Sequence, residues 1–113
     1  MDASLPTSER LCGKTAVAAL FERGKSFQAG CLRCRYIRRP DESPSRIVVS
    51  VPKRHFKRAV KRNLLKRRIR ESYRRQKGLL DSGLDVLFIY TSRELLPYEV
   101  IYADMTQALE GIR

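Results

Sequence analysis

Between Lys53 and Lys77 the chain carries 13 lysines and arginines and a single acid, Glu71. Most of those cations are guanidinium groups, whose planar forks match phosphate oxygens and whose flat faces stack on bases. Outside the segment 11 cations face 11 acids, so the whole formal charge of +12 sits in 25 residues. A field that concentrated attracts a polyanion, and it exceeds what solubility asks of a small domain. On a helix turning about 100° per residue from Ala59, Leu65, Ile69 and Tyr73 fall near 240°, 280° and 320°. Lys66, Arg70, Asn63, Arg74 and Arg67 take the next slots, from about 340° round to about 80°. A core stripe and a cationic ridge therefore run side by side on one helix. Asn63, the amide in the ridge, can pair with a base edge or a sugar hydroxyl, or fix its arginine neighbours. Lys53, Arg54 and Arg58 lead into the helix, and Arg62 lies within it. Lys61, Arg68 and Arg75 point away from the ridge, where a solvated role is as good a reading as a phosphate contact.

Other reactive side chains offer less. Cys31 and Cys34 form one CxxC, but zinc needs two further ligands at suitable spacing, and Cys12 and His55 are the remaining soft donors. On a strand, side chains at i and i+3 point to opposite faces, a poor geometry for chelation. His55 is the one histidine, with no carboxylate or nucleophile paired to it in sequence. The acids are scattered without paired spacing. The residues thus assign no catalytic group and no metal ligand, and an odd cysteine count argues against a disulfide framework.

Several elements must position this helix. Val17, Leu20 and Phe21 mark one face of a first helix that Gly24 stops. Phe27 to Ile37 reads as a strand, with Leu32, Cys34 and Tyr36 apolar on one face and Arg33 and Arg35 basic on the other. Arg38 to Ser45, with two prolines, is a loop. Ile47 to Val51 is a short β-branched strand ended by Pro52. The basic helix spans Ala59 to Gln76 and is closed by Gly78. Leu84 to Tyr90, LDVLFIY, predicts a strand covered on both faces. Pro97 opens a last helix with a stripe of Tyr98, Ile101, Met105, Leu109 and Ile112. The order is α-β-β(-β)-α-β-α in a single domain over 1–113: a small α/β (α+β) sandwich, one mostly four-stranded sheet with helices packed on it. Residues 1–9 and 111–113 are expected to be disordered.

The stretch AVKRNLLKRRIRE, Ala59 to Glu71, resembles the signature helix of the bacterial ribonuclease P protein, Ala-Val-x-Arg-Asn-Arg-x-Lys-Arg-x-x-Arg. Ala59, Val60, Arg62, Asn63, Lys66, Arg67 and Arg70 match it. Leu64 departs from it, standing where the third member of Arg-Asn-Arg is usually Arg. RIVVSVPKR, Arg46 to Arg54, is similar to the family's Val- and Ser-rich strand and the basic pair after it. Arg10, Leu11, Val17, Phe21 and Gly24 are similar to its opening, so the likeness runs over roughly residues 10–110.

The resemblance implies a left-handed β-α-β crossover, against the usual right-handed rule. It implies a protein subunit whose partner RNA hydrolyses the 5′ leader from precursor tRNA, with Mg2+ held by RNA and no cofactor on the protein. The basic helix would bind the catalytic RNA. A cleft between the sheet and the first helix would hold the leader, with Val17, Phe21, Lys25, Phe27, Cys34 and Tyr36 as its candidate lining. Single-stranded RNA is gripped by basic grooves with aromatic platforms, in keeping with that expectation. The residues alone also fit a structural RNA-binding protein such as a ribosomal component. A DNA-binding module fits less well, because the helix lacks the short preceding helix and turn of a helix-turn-helix. With no apolar run near the roughly 18 residues a membrane span needs, a cytoplasmic protein without an obligatory protein partner is expected.

Overall fold

The computed structural model describes residues 14–40 and 44–112. Helix α1 (Lys14–Arg23) ends where the Gly24 N–H closes on the Leu20 carbonyl at 3.0 Å. A Cβ at position 24 would collide with that same oxygen, so glycine lets the chain turn at once into strand β1 (Lys25–Ala29).

The expected single strand from Phe27 to Ile37 is instead a hairpin. β1 pairs antiparallel with β2 (Leu32–Arg38), Ala29 opposite Leu32, and Gly30 and Cys31 form the connection. Gly30 has φ 58°, the left-handed conformation that tight hairpin turns demand and glycine supplies without steric cost. The Asp104 carboxylate accepts the Cys31 N–H at 2.9 Å and lies where a Cβ on residue 30 would go.

β3 (Arg46–Ser50) leads to α2 (Ala59–Gln76) and a 3-10 turn (Lys77–Leu79), followed by β4 (Leu84–Tyr90) and α3 (Tyr98–Ile112). The sheet order is β1-β2-β4-β3, with β2 antiparallel and β3 parallel to β4. α2 is thus the crossover joining two parallel neighbours. α3 runs through Ile112, which is 3% exposed, so the expectation of disorder from 111 onward is corrected at Gly111 and Ile112. Ile112 completes the apolar stripe and its burial holds the last turn. Residues 1–9 and 113 lie outside the described residues.

The two sheet faces carry different cores. On one face Leu32, Cys34, Ile47, Val49, Val86, Phe88 and Tyr90 meet Leu65, Ile69 and Tyr73 of α2 and Ile101, Met105, Leu109 and Ile112 of α3. On the other, Leu20 of α1 packs with Leu87, flanked by Ile37, Val48 and Ile89. β4 contributes to both, which is why its sequence is continuously apolar. At the sheet's end, Asp85 accepts a bidentate pair from Arg46 at 2.9 and 2.8 Å and lies 3.1 Å from Arg39.

Candidate nucleic-acid interface

α2 begins without a side-chain cap and without an acid in its first turn. Its first N–H groups carry the positive end of the helix dipole, among the exposed side chains of Lys53, Arg54, Lys57, Arg58 and Lys61. Burial of Leu65, Ile69 and Tyr73 sets the rotation of the helix. That rotation leaves Asn63, Arg67, Arg70 and Arg74 exposed and Lys66 half-buried, so the five ridge residues stand together beside the core stripe. Val60, 78% exposed, and half-buried Leu64 make an apolar strip one turn long next to them.

Not every cation in the segment is available to a ligand. Arg62 Nη1 donates to the Phe56 and Lys57 carbonyls, both at 2.8 Å, and so ties down the loop that enters α2. Arg68, for which a solvated position was one reading, is half-buried and donates from Nη1 to the Leu96 carbonyl at 2.6 Å, joining α2 to the approach of α3. Arg74 grips Glu71 through two bonds, at 2.9 and 2.7 Å, and Arg75 adds a third at 2.7 Å. Those bonds hold the Glu71 carboxyl down at about 2.

The six residues expected to line one cleft are divided between the two sheet faces. Phe21 is 51% exposed on the α1 side, and the Arg35 guanidinium lies 5.0 Å from its ring centroid. Val17 of the same helix is half-buried. Cys34, Phe27 and Tyr36 belong to the opposite face. Cys34 is fully buried in the main core, and Phe27 and Tyr36 pack against that core in an edge-to-face pair with centroids 6.1 Å apart. The Phe27 ring also lies against the backbone at Gly111 of α3. Lys25, opposite Tyr36 in the register, is exposed at the start of β1.

The reason is the period of two along a strand: if Arg35 reaches Phe21, then Cys34 and Tyr36 must point the other way. On β2 the residues that share a face with Phe21 are Arg33, Arg35 and Ile37. The basic alternation of Arg33 and Arg35 was the signal in the sequence. Together with Phe21 they make an aromatic and guanidinium surface between α1 and the sheet.

Cys31 lies in the hairpin turn rather than on a strand, and both it and Cys34 are buried in the main core. Burial pushes both thiols up to about 12, with Asp104 adding to the effect at Cys31. Neither supplies a thiolate at neutral pH, the form that binds metal or attacks a disulfide. Among the described residues no three of His, Cys, Asp and Glu come together as a metal site, and no helix is long and apolar enough to cross a membrane.

Known proteins resemble the chain throughout. The sequence profile of the family Ribonuclease P matches residues 5–113. The ribonuclease P protein component of Porphyromonas gingivalis is 35% identical, the match spanning 93% of this chain and 83% of that protein. The solved RNase P protein from Thermotoga maritima superposes with a TM-score of 0.82 at 25% identity, over 93% of this chain and 98% of that one. The Staphylococcus aureus RNase P protein shares the fold with a TM-score of 0.83 at 19% identity, over 95% and 97% of the two chains. Because the match takes in the basic helix, the sheet and the terminal helix alike, the chain belongs to the ribonuclease P protein family.

Proposed function

We propose that this chain binds a catalytic ribonuclease P RNA along the α2 ridge and receives the 5′ leader of precursor tRNA on the surface made by Phe21, Arg33 and Arg35. As a ribonuclease P protein component it is an RNA-binding subunit of a tRNA-processing endonuclease, and the relatives it matches support that reading over a ribosomal role. The observation that carries the first half is the exposure of Asn63, Arg67 and Arg70 beside a core stripe that fixes their direction. Each exposed arginine neutralises a phosphate and contributes salt-dependent affinity. The second half rests on an exposed aromatic ring with guanidinium groups around it, which suits single-stranded RNA.

Hydrolysis belongs to the RNA in this reading. Three of the described acids have structural work: Asp85 is clamped by Arg46 and Arg39, Glu71 by Arg74 and Arg75, and Asp104 by the hairpin N–H. Mg2+ serves the holoenzyme and is held by RNA. The protein lowers the need for it by placing cations against crowded phosphates, and it works in the cytoplasm with RNA partners alone.

The test is reconstitution. Purified protein is mixed with a bacterial ribonuclease P RNA and precursor tRNA at low Mg2+, and leader removal should accelerate well beyond the RNA alone. Equal rates with and without protein would defeat the proposal.

A further inference from the structure

Arg74 and Arg75 project from α2 about 100° apart, as adjacent helical residues must. They nevertheless converge on a single carboxylate. Arg74 donates from Nε to Glu71 Oε1 at 2.9 Å and from Nη2 to Oε2 at 2.7 Å, and Arg75 Nε donates to Oε2 at 2.7 Å. The shared carboxylate offsets the repulsion between the two guanidinium groups. The Glu71 carboxylate therefore marks a point where one negative charge with two acceptor oxygens is held from two sides, which is also how a phosphodiester is gripped.

A third polar group lies near the pair on another element. The Tyr98 hydroxyl, on the first turn of α3, is buried and has no hydrogen-bond partner. It is electrostatically coupled to Arg74, Arg75 and Glu71. Its ring pairs with that of Tyr102, centroids 5.9 Å apart, and Tyr102 is 36% exposed. Unpaired buried hydroxyls are uncommon and mark a place where a partner is expected. The cluster starts from Arg74, the last ridge residue one turn beyond Arg70, and adds Arg75 and a residue of α3 to it.

We propose that Arg74, Arg75 and the Tyr98 hydroxyl form a further RNA phosphate station where the ridge reaches the end of α2, and that Glu71 occupies it as an internal anion until an RNA phosphate displaces it. The inference rests on the RNA-binding reading above and extends it to Arg75 and α3. Glu71 then acts as a specificity element. It cancels one of two positive charges against stray anions, and yields to a phosphate that the ridge has already brought into register.

The test measures affinity for a bacterial ribonuclease P RNA transcript across a series of monovalent salt concentrations. The proteins are wild type, Glu71→Gln, Arg74→Ala/Arg75→Ala, the triple variant combining these, and Tyr98→Phe, each checked for an unchanged thermal melt. Arg67→Ala/Arg70→Ala reports on the ridge separately. Glu71→Gln should tighten binding, because the phosphate no longer has to displace an internal anion, and should steepen the log–log salt slope by up to about 0.7–0.9, the increment for one full charge. The triple variant should bind like Arg74→Ala/Arg75→Ala, because Glu71 acts through those two residues. Tyr98→Phe should weaken binding about two- to tenfold, the worth of one hydrogen bond. An equal gain from Glu71→Gln with or without the two arginines would mean a diffuse charge effect and overturn the proposal, as would no gain at all. If Arg67→Ala/Arg70→Ala leaves binding unchanged, the ridge reading fails instead, and the station is judged on its own variants.

Discussion

The Arg35 guanidinium covers the Phe21 ring at 5.0 Å and donates from Nη1 to the Phe21 carbonyl at 3.3 Å, tying β2 to the last turn of α1. An exposed cation–π contact is worth only about 0.5–1 kcal/mol, little beside the burial of Leu20 and Leu87 beneath it. Its larger effect is to hold a flat cation and an aromatic ring in one fixed arrangement at the surface.

Phe21→Ala should therefore cost affinity for precursor tRNA far more than for mature tRNA, by about 1–3 kcal/mol if one leader base stacks there. Arg35→Ala should act in the same direction. Phe27→Ala makes the contrast: it removes a ring packed against the main core and α3, so it should lower the melting temperature and affect both RNAs alike. Binding to the two RNAs, measured beside a thermal melt of each variant, separates these outcomes. Equal loss for both RNAs in the Phe21 variant would contradict a leader contact.

Arg62 and Arg70 belong to one basic segment, yet their removal should read differently. Arg70→Ala and Arg67→Ala each should flatten the salt dependence of RNA binding by up to about one unit, with little change in stability. Arg62→Ala strips the donor from the Phe56 and Lys57 carbonyls, so a loss of about 1–3 kcal/mol in urea unfolding is expected as well. An Arg62 variant as stable as wild type would show that its link to the loop is dispensable.

The two core thiols set an alkaline limit. Folding raises Cys31 and Cys34 from 9.0 to about 12, so their contribution to stability is whole below pH 9 and is lost as pH climbs through 9 to 12. At pH 8 both should resist iodoacetamide in the native protein and react once it is unfolded in urea. Peptide mapping by mass spectrometry reads each site separately, and rapid native labelling at either would contradict the packing described.

Helix α2 was legible because Leu65, Ile69 and Tyr73 repeat with helical period, and burial makes that period an orientation as well. The double coverage of β4 was legible for the same reason, since an unbroken apolar run has no polar face to expose. The hairpin was hidden because Gly30 sits within otherwise strand-like sequence, and its positive φ is a property of the folded backbone. The cleft residues were misplaced because family likeness matches positions along the chain, whereas a strand sorts them by parity: Arg35 and Tyr36 are neighbours in sequence and lie on opposite faces. The anchor from Arg68 to Leu96 could not be read at all, because it depends on how α3 docks 28 residues later. The nearness of Tyr98 to Glu71 was hidden for the same reason.

The parallel pairing of β3 with β4 has a kinetic consequence. Arg46 meets Asp85 across 39 residues of chain, and the whole of α2 lies within the loop which that pairing closes. Strand pairing over such a distance is the slow kind of contact in folding, since the chain loses loop entropy before the sheet repays it. Here the loop is also filled with mutually repelling cations. A nascent chain that meets RNA before β4 docks has that repulsion relieved at the step where it matters most. The polyanion is then a participant in assembling the sheet, and refolding should run faster in sulfate than in chloride at equal ionic strength.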